Sequence, residues 1–273
     1  MSALRDRFPP PALMGIVNVT PDSFSDGGSF LDPADAVAHG LRLAGEGADL
    51  LDVGGESTRP GSDPVPAEEE LRRVLPVIEG LAGQTEVPIS IDTVKAEVAR
   101  RALAAGASFV NDVTALRHDP RMAAVAADAA VPVCLMHMLG EPKTMQDAPT
   151  YRDVVAEVRE FLARRADAAA AAGIDPARIC LDPGIGFGKT VEHNLALLAH
   201  LERICELGFP VLVGVSRKRF LGAISGGAEH ERGPAGLAAG LAAVRHGAWM
   251  LRVHDVAPTR QALLLESAIE AVP

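Results

Sequence analysis

Eight hydrophobic runs in this chain each lead into a polar residue, and every interval between them is long enough for a helix to return the chain. The runs cover residues 13–18, 49–53, 88–92, 108–112, 132–137, 179–182, 211–215 and 249–253. Their polar ends are Asn18, Asp52, Asp92, Asn111, His137, Asp182, Ser216 and His254. A near-continuous Val/Ile/Leu run is the pattern of a strand buried on both faces of a parallel sheet. Eight such strands, each followed by a helix, predict an α/β chain folded as a (β/α)₈ TIM barrel. The 273 residues fit one such domain, with residues 1–11 as an N-terminal extension. A doubly wound open sheet alternates in the same way, but no Gly-x-Gly-x-x-Gly follows the first strand.

The helices between these runs carry their own signals. Asp32-Pro33 reads as an N-cap followed by proline at the first helical position. Residues 67–81, 151–172, 233–246 and 258–271 read as helices, the first with Glu68, Glu69 and Glu70 at its positive end. Gly47-Ala48, Gly106-Ala107 and Gly247-Ala248 read as left-handed helix ends ahead of strands.

A net charge of −10 argues against a partner among nucleic acids or membrane surfaces, which an acidic chain repels. It leaves room for an anionic small substrate where local cations outweigh the global field. Residues 1–11 show no signal-peptide pattern, and no stretch reaches the roughly 18 apolar residues of a membrane span. Cys134, Cys180 and Cys205 are odd in number and set in apolar contexts, which predicts buried reduced thiols and a cytoplasmic location.

In a barrel of this kind the active site lies on the loops after the strands. Loop one runs from Asn18 to Gly28, with Phe24 exposed at a cost unless it meets a partner. Asn18 offers a hard oxygen suited to Mg²⁺, which keeps waters and leans on substrate phosphates. Loop two, from Asp52 to Gly61, brings Thr58 and Arg59 as phosphate donors among small residues. Asp92, Asn111 and Asp182 form acceptors and an amide suited to the edge of a guanidine-like heterocycle. The run Asp182-Pro183-Gly184-Ile185-Gly186-Phe187-Gly188-Lys189 is one position short of a triphosphate loop, so its glycines are read as letting Phe187 flank a flat ring. Lys218 is the member of Ser216-Arg217-Lys218-Arg219 best placed to reach the mouth. Arg252 and His254 share one side of the last strand by alternation, and loops seven and eight commonly hold phosphate in this fold. His137, between two methionines, reads as a hydrogen-bonded core residue.

These loops together resemble one family, dihydropteroate synthase of folate biosynthesis. The resemblance rests on residues 14–28, Asp52 to Gly61, Ile91-Asp92-Thr93, Asn111-Asp112-Val113, Met136-His137-Met138, Asp182 to Gly188, Ser216-Arg217-Lys218 and Arg252-Val253-His254. It implies condensation of a dihydropterin-methyl diphosphate with p-aminobenzoate, assisted by Mg²⁺ on Asn18. By resemblance, the pterin meets Asp92, Asn111, Asp182 and Lys218, with Phe187 and Arg252 on its faces. The diphosphate meets Thr58, Arg59, Arg252 and His254, and p-aminobenzoate is bordered by Phe24, Pro60 and the Lys218 region. Asp92, Lys218, Arg252 and His254 are the implied catalytic set. A homodimer through helices remote from the site is implied as well, for which the stretch 236–243 is one surface.

Two features depart from the family pattern: Arg219 stands where several relatives have a small hydroxyl residue, and Leu139-Gly140-Glu141-Pro142 matches loosely, off the main binding positions. Three other readings stay open on sequence: a pterin-binding methyltransferase domain, a non-catalytic pterin-binding paralogue and a Schiff-base aldolase using Lys218. The first two have no need of the Thr58-Arg59 and Arg252–His254 set, and the third needs a lysine on a strand away from arginines.

Overall fold

The structure is a computed structural model and describes residues 3–20, 32–59 and 61–272. Eight parallel strands follow in chain order: β1 (Ala12–Asn18), β2 (Leu50–Gly54), β3 (Ile89–Asp92), β4 (Phe109–Asp112), β5 (Val133–Met136), β6 (Ile179–Asp182), β7 (Leu212–Val213) and β8 (Met250–Val253). They hydrogen-bond in the order β6-β5-β4-β3-β2-β1-β8-β7, and a parallel bridge between Leu181 and Val211 brings the two ends together. The result is a nearly closed (β/α)₈ barrel.

The expected strand over 211–215 is only two residues long. Pro210 at its start has no N–H to give the ladder, and Gly214 has no side chain to pack. The chain then turns through Arg217, whose φ is +59°. That turn carries Lys218 to the barrel mouth instead of extending the strand.

Strand alternation divides the interior into two cores. One parity (Leu13, Val17, Leu51, Val53, Ile91, Val110, Val133, Leu135 and Leu181 among others) faces outward and packs on the helices. The other parity fills the barrel, and its lower layer is Met14, Leu50, Phe109, Cys134, Cys180, Leu212 and Met250. One strand pleat higher, the same parity presents Asp52, Ser90, Asn111, Asp182 and Arg252. The register places Leu50 one pleat below Asp52 and Met250 one below Arg252. The strands β2, β4, β6 and β8 therefore each carry an apolar floor and a polar mouth on a single face.

The N-terminal helix α1 (Ala3–Arg7) covers the floor. Leu4 and Phe8 are buried there against Trp249, whose ring meets Phe8 edge-on and whose Nε1 donates to the Phe8 carbonyl at 2.8 Å.

The outer helices start where local chemistry allows. In α2 (Pro33–Gly45) the Asp32 carboxylate accepts from the Ala34 N–H at 2.9 Å, completing the expected cap. In α3 (Ala67–Ala82) Glu70 is buried, not solvated, because Lys95 reaches it from the start of α4 (Ala96–Ala104). After the short α5 (Met122–Asp128), α6 (Val154–Ala171) begins later than its sequence pattern because Asp153 caps it. Then come α7 (Val191–Ala199), α8 (Glu202–Cys205), α9 (Arg219–Ser225), α10 (Gly233–Arg245) and α11 (Val256–Glu270). Pro258 falls in the first turn of α11, where its missing N–H costs no helical bond. None of the described helices is long and apolar enough to cross a membrane.

Candidate active site

A cavity of about 740 Å³ opens at the carboxyl ends of the strands. Asn18, Thr58, Arg59, Asp92, Asn111, Asp182, Phe187, Lys218, Arg252 and His254 all line it. The structure thus brings together every described residue that the sequence analysis named as a ligand contact. Phe24 and Pro60 lie outside the described residues.

At its base Arg252 binds two carboxylates. Its Nε donates to Asp52 Oδ2 at 2.6 Å, and its Nη2 donates to Asp92 Oδ2 at 2.9 Å. Asn111 Nδ2 donates to the same Asp52 oxygen at 3.0 Å. The second Asp52 oxygen is buried with no hydrogen-bond partner. Asp52 therefore fixes both the guanidinium and the amide, a role that the sequence analysis did not give it. Its parity with Arg252 was readable, but the contact spans 200 residues.

Burial pushes the Asp92 carboxyl up to about 7, with the Asp52 charge adding to it and Arg252 opposing. Asp182 is raised to about 6, again mainly by burial, while the Gly184 N–H at 2.7 Å favours its ionised form. The Arg252 guanidinium is held firmly charged, because its two carboxylates outweigh its burial. Two acceptors and an amide pre-set in orientation make a surface for adjacent N–H donors on a flat ring.

The loop after β6 supplies one wall. Gly184 has φ +66°, and a Cβ there would lie 1.9 Å from the His137 carbonyl oxygen. Gly186 has φ +84°, and a Cβ would meet Lys218 Cδ at 3.1 Å. Only glycine lets this loop pass so close to both neighbours. Phe187 is thereby held beneath the Lys218 ammonium, with Nζ 4.2 Å from the ring centroid. Burial, followed by the Arg252 charge, lowers Lys218 to about 8.

Lys189 and His137 brace this wall from behind. Lys189 Nζ is 3.0 Å from His137 Nδ1 and donates to the Phe187 carbonyl at 3.0 Å. Burial brings Lys189 down to about 7 and His137 to about 3, so the imidazole is neutral. His137 is a hydrogen-bonded core residue, as its sequence context predicted. Gln146, unmarked by any motif, donates to the Gly186 carbonyl at 2.6 Å and lines the cavity beside Met145. The weakly matching segment before it also touches the site's border, since Pro142 accepts from Gly61 N of loop two at 3.1 Å.

The three basic residues after β7 all line the cavity but are held differently. Arg217 pairs with Asp255 at 2.6 Å, Lys218 lies over the Phe187 ring, and Arg219 is exposed at the first position of α9. His254 Nδ1 lies 3.0 Å from Ser216 Oγ. Burial first, then Arg217 and Arg252, lower His254 to about 3. Loop two is tied into a compact turn by Ser62, whose hydroxyl reaches the carbonyls of Ser57 and Arg59 at 2.6 and 2.7 Å.

On β1, between β8 and β2, Asn18 pairs in register with Gly54 at the root of loop two. Among the described residues no group of three His, Cys, Asp or Glu side chains could hold a metal ion. A single neutral oxygen beside the Thr58 and Arg59 donors of loop two fits a hard cation that arrives largely ligated by phosphate and water.

Residues 14–254 match the family model described as pterin binding enzyme. The chain is 49% identical to the dihydropteroate synthase of Mycobacterium leprae, over 95% of this chain and 93% of that protein. The chain belongs to the dihydropteroate synthase family. It is thus a pterin-binding transferase. Its fold matches a Xanthomonas albilineans dihydropteroate synthase with 4-aminobenzoic acid, at a TM-score of 0.91 and 59% identity, covering 96% of this chain and 94% of that one. A second structure of the synthase from that organism, in complex with 7,8-dihydropteroate, matches at 0.88 and 56% identity, covering 96% and 94%.

Proposed function

We propose that this cavity condenses a (7,8-dihydropterin-6-yl)methyl diphosphate with p-aminobenzoate, giving 7,8-dihydropteroate and diphosphate. The observation that carries the assignment is that one pocket holds both acceptors and cations. Acceptors Asp92, Asn111 and Asp182 line it, Arg252 is paired with carboxylates at its base, and Lys218 and Arg59 add further cations to its lining. A ring rich in N–H donors suits the acceptors, and an anionic leaving group suits the cations.

The pterin then sits against Asp92, Asn111, Asp182 and Lys218, with Phe187 and Arg252 on its faces. Thr58, Arg59, Arg252 and His254 take the diphosphate. The methylene C–O bond breaks with its electron pair going to the diphosphate. The arylamine nitrogen forms the new C–N bond and releases one proton. Preorganised cations stabilise the charge growing on the leaving group, which is the largest lever available to such a site. Ionised Asp92 stabilises positive charge spreading over the pterin as the bond breaks. Neutral His254, with Nδ1 turned to Ser216, keeps its Nε2 proton to donate to a phosphate oxygen. The amine is itself a competent nucleophile, so no activated Ser or Cys is required.

Mg²⁺ would be held by Asn18 together with the diphosphate, and would supply further neutralisation of that leaving group. Phe24 and Pro60 are the proposed neighbours of p-aminobenzoate. The proposed assembly is a homodimer. In the stretch 236–243, Gly236, Gly240 and Ala243 are buried within their own barrel. Exposed Leu264, Leu265 and Ile269 on α11 are apolar area that a second copy would cover.

Diphosphate release from the pterin diphosphate with Mg²⁺, measured with and without p-aminobenzoate, tests the assignment. Arylamine-dependent release is expected. Tight pterin binding with no release would instead indicate a non-catalytic paralogue or a methyltransferase domain.

A further inference from the structure

Loop two is fastened at its root by an ion triplet that the reaction above leaves unused. Lys95 donates to Glu70 Oε2 at 2.6 Å and, from the same ammonium, to Glu56 of loop two. The Glu70 side chain is 1% exposed, Lys95 16% and Glu56 18%, so the three share a largely dry environment. Arg73 of α3 adds a second tie, with Nη1 donating to the Gly55 carbonyl at 2.9 Å. A Cβ on Gly55 would meet Val74 Cγ1 at 2.7 Å, so the loop root lies directly on α3.

Glu56 also lines the main cavity, next to Thr58, Arg59 and Asn18. A carboxylate is an odd neighbour for a pocket that receives a multiply charged anion. Burial pushes the Glu70 carboxyl up, towards its neutral form, and Lys95 opposes that; the same ammonium is the counter-charge to Glu56, and removing it would leave the Glu56 charge bare at the cavity wall. At the low effective dielectric of a half-buried site, a bare charge at such range is felt strongly.

We propose that Lys95 is a positioning residue that neutralises Glu56 and anchors loop two, so that the pocket admits a diphosphate-bearing substrate. The proposal rests on the reading of the cavity as a pterin diphosphate site. It differs from a purely structural role in one respect: its effect depends on the charge of the ligand. It also links loop two to β3, because Lys95 follows Asp92 by three residues. The side of the site that holds the diphosphate and the base that holds the ring then keep a fixed relation.

Calorimetric titration of the full chain tests this with three ligands: the pterin diphosphate, the same pterin as its uncharged alcohol, and inorganic diphosphate. Lys95→Met is expected to weaken both diphosphates on the order of tenfold and to leave the alcohol unchanged. The loss should shrink as salt is raised. Lys95→Arg should retain binding, and Lys95→Met/Glu56→Gln should recover most of it. Equal losses for alcohol and diphosphate, or a double variant no better than Lys95→Met, would overturn the proposal.

Should Lys95→Met fail to fold, Glu56→Gln decides: it is expected to bind inorganic diphosphate at least as tightly as wild type, and weaker binding refutes the idea. The synthase reading fails separately, if wild type binds the pterin diphosphate and never turns it over. The titration comparison still holds in that case. A wild type that binds neither diphosphate overturns the role of Lys95 as well.

Discussion

The two ends of this barrel use the same strand faces in opposite ways. At the floor, Met14, Leu50, Phe109, Leu212 and Met250 meet Leu4, Phe8 and Trp249 in an apolar plug. At the mouth, one pleat along the same strands, Asp52, Asp92, Asn111, Asp182 and Arg252 form a buried charged network. The floor gains from burial, at roughly 25 cal/mol per Å² of apolar area removed from water. The mouth loses by burial, since charges taken from water are stabilised only by one another. Stability and function are therefore segregated along the barrel axis, within single strands of four or five residues.

Replacing the hub of the mouth should produce the largest effect. Arg252→Ala leaves Asp52 and Asp92 facing each other without a counter-ion and, in the proposed reaction, removes a donor to the leaving group. Steady-state assays are expected to show kcat/KM reduced on the order of 10³-fold. A comparable activity loss from a floor substitution would erase the segregation.

Trp249→Ala is the complementary test. The cavity should cost about 3–5 kcal/mol in denaturant unfolding, while KM of the folded enzyme stays unchanged.

Asp92 sharpens the comparison through pH. Its folded value near 7 lies above the ordinary carboxylate value, so the native state holds the proton that the unfolded chain has released. Its contribution to stability is therefore greatest below the unfolded value and falls as pH rises towards 7. Asp92→Asn is expected to raise Tm at pH 8 by a few degrees, on the order of 2–4 °C, while abolishing turnover. In wild type, kcat/KM should fall below about pH 7 as Asp92 takes up its proton. A flat profile from pH 5 to 8 would remove ionised Asp92 from the reaction. His254 opposes the stability trend. Held near 3, it is neutral in the native state, so its charging in the unfolded chain lowers stability below about pH 6.5.

Arg219→Ser should have the smallest effect. The side chain is exposed at the start of a short helix, whose backbone N–H groups remain in either variant. KM for p-aminobenzoate is expected to change by less than about threefold, in line with an exposed charge at a helix end.

Much of this design was legible before any coordinate. Buried runs ending in polar residues marked the strands and the rim because those signals are local. Composition of a run reports two-sided burial, and period-two alternation puts Arg252 and His254 on one side. The ten described site residues meet in one cavity because all of them sit on loops or strand ends that the barrel gathers at one mouth. The late start of α6 and the shortening of β7 escaped the sequence reading because a cap at Asp153 and a turn at Arg217 override the hydrophobic pattern.

Sequence alone thus determined the fold class, the family and the rim, since each depends on residue type at short spacing. Only the tertiary structure decided who pairs with whom. Asp52 reaches Arg252 across 200 residues, Lys189 reaches His137 across 52, and Lys95 reaches Glu56 across 39. Trp249 seals the floor through Phe8, 241 residues away. Such partners are chosen by register and barrel closure, and a carboxylate gives no local sign of which cation the closed barrel will set against it.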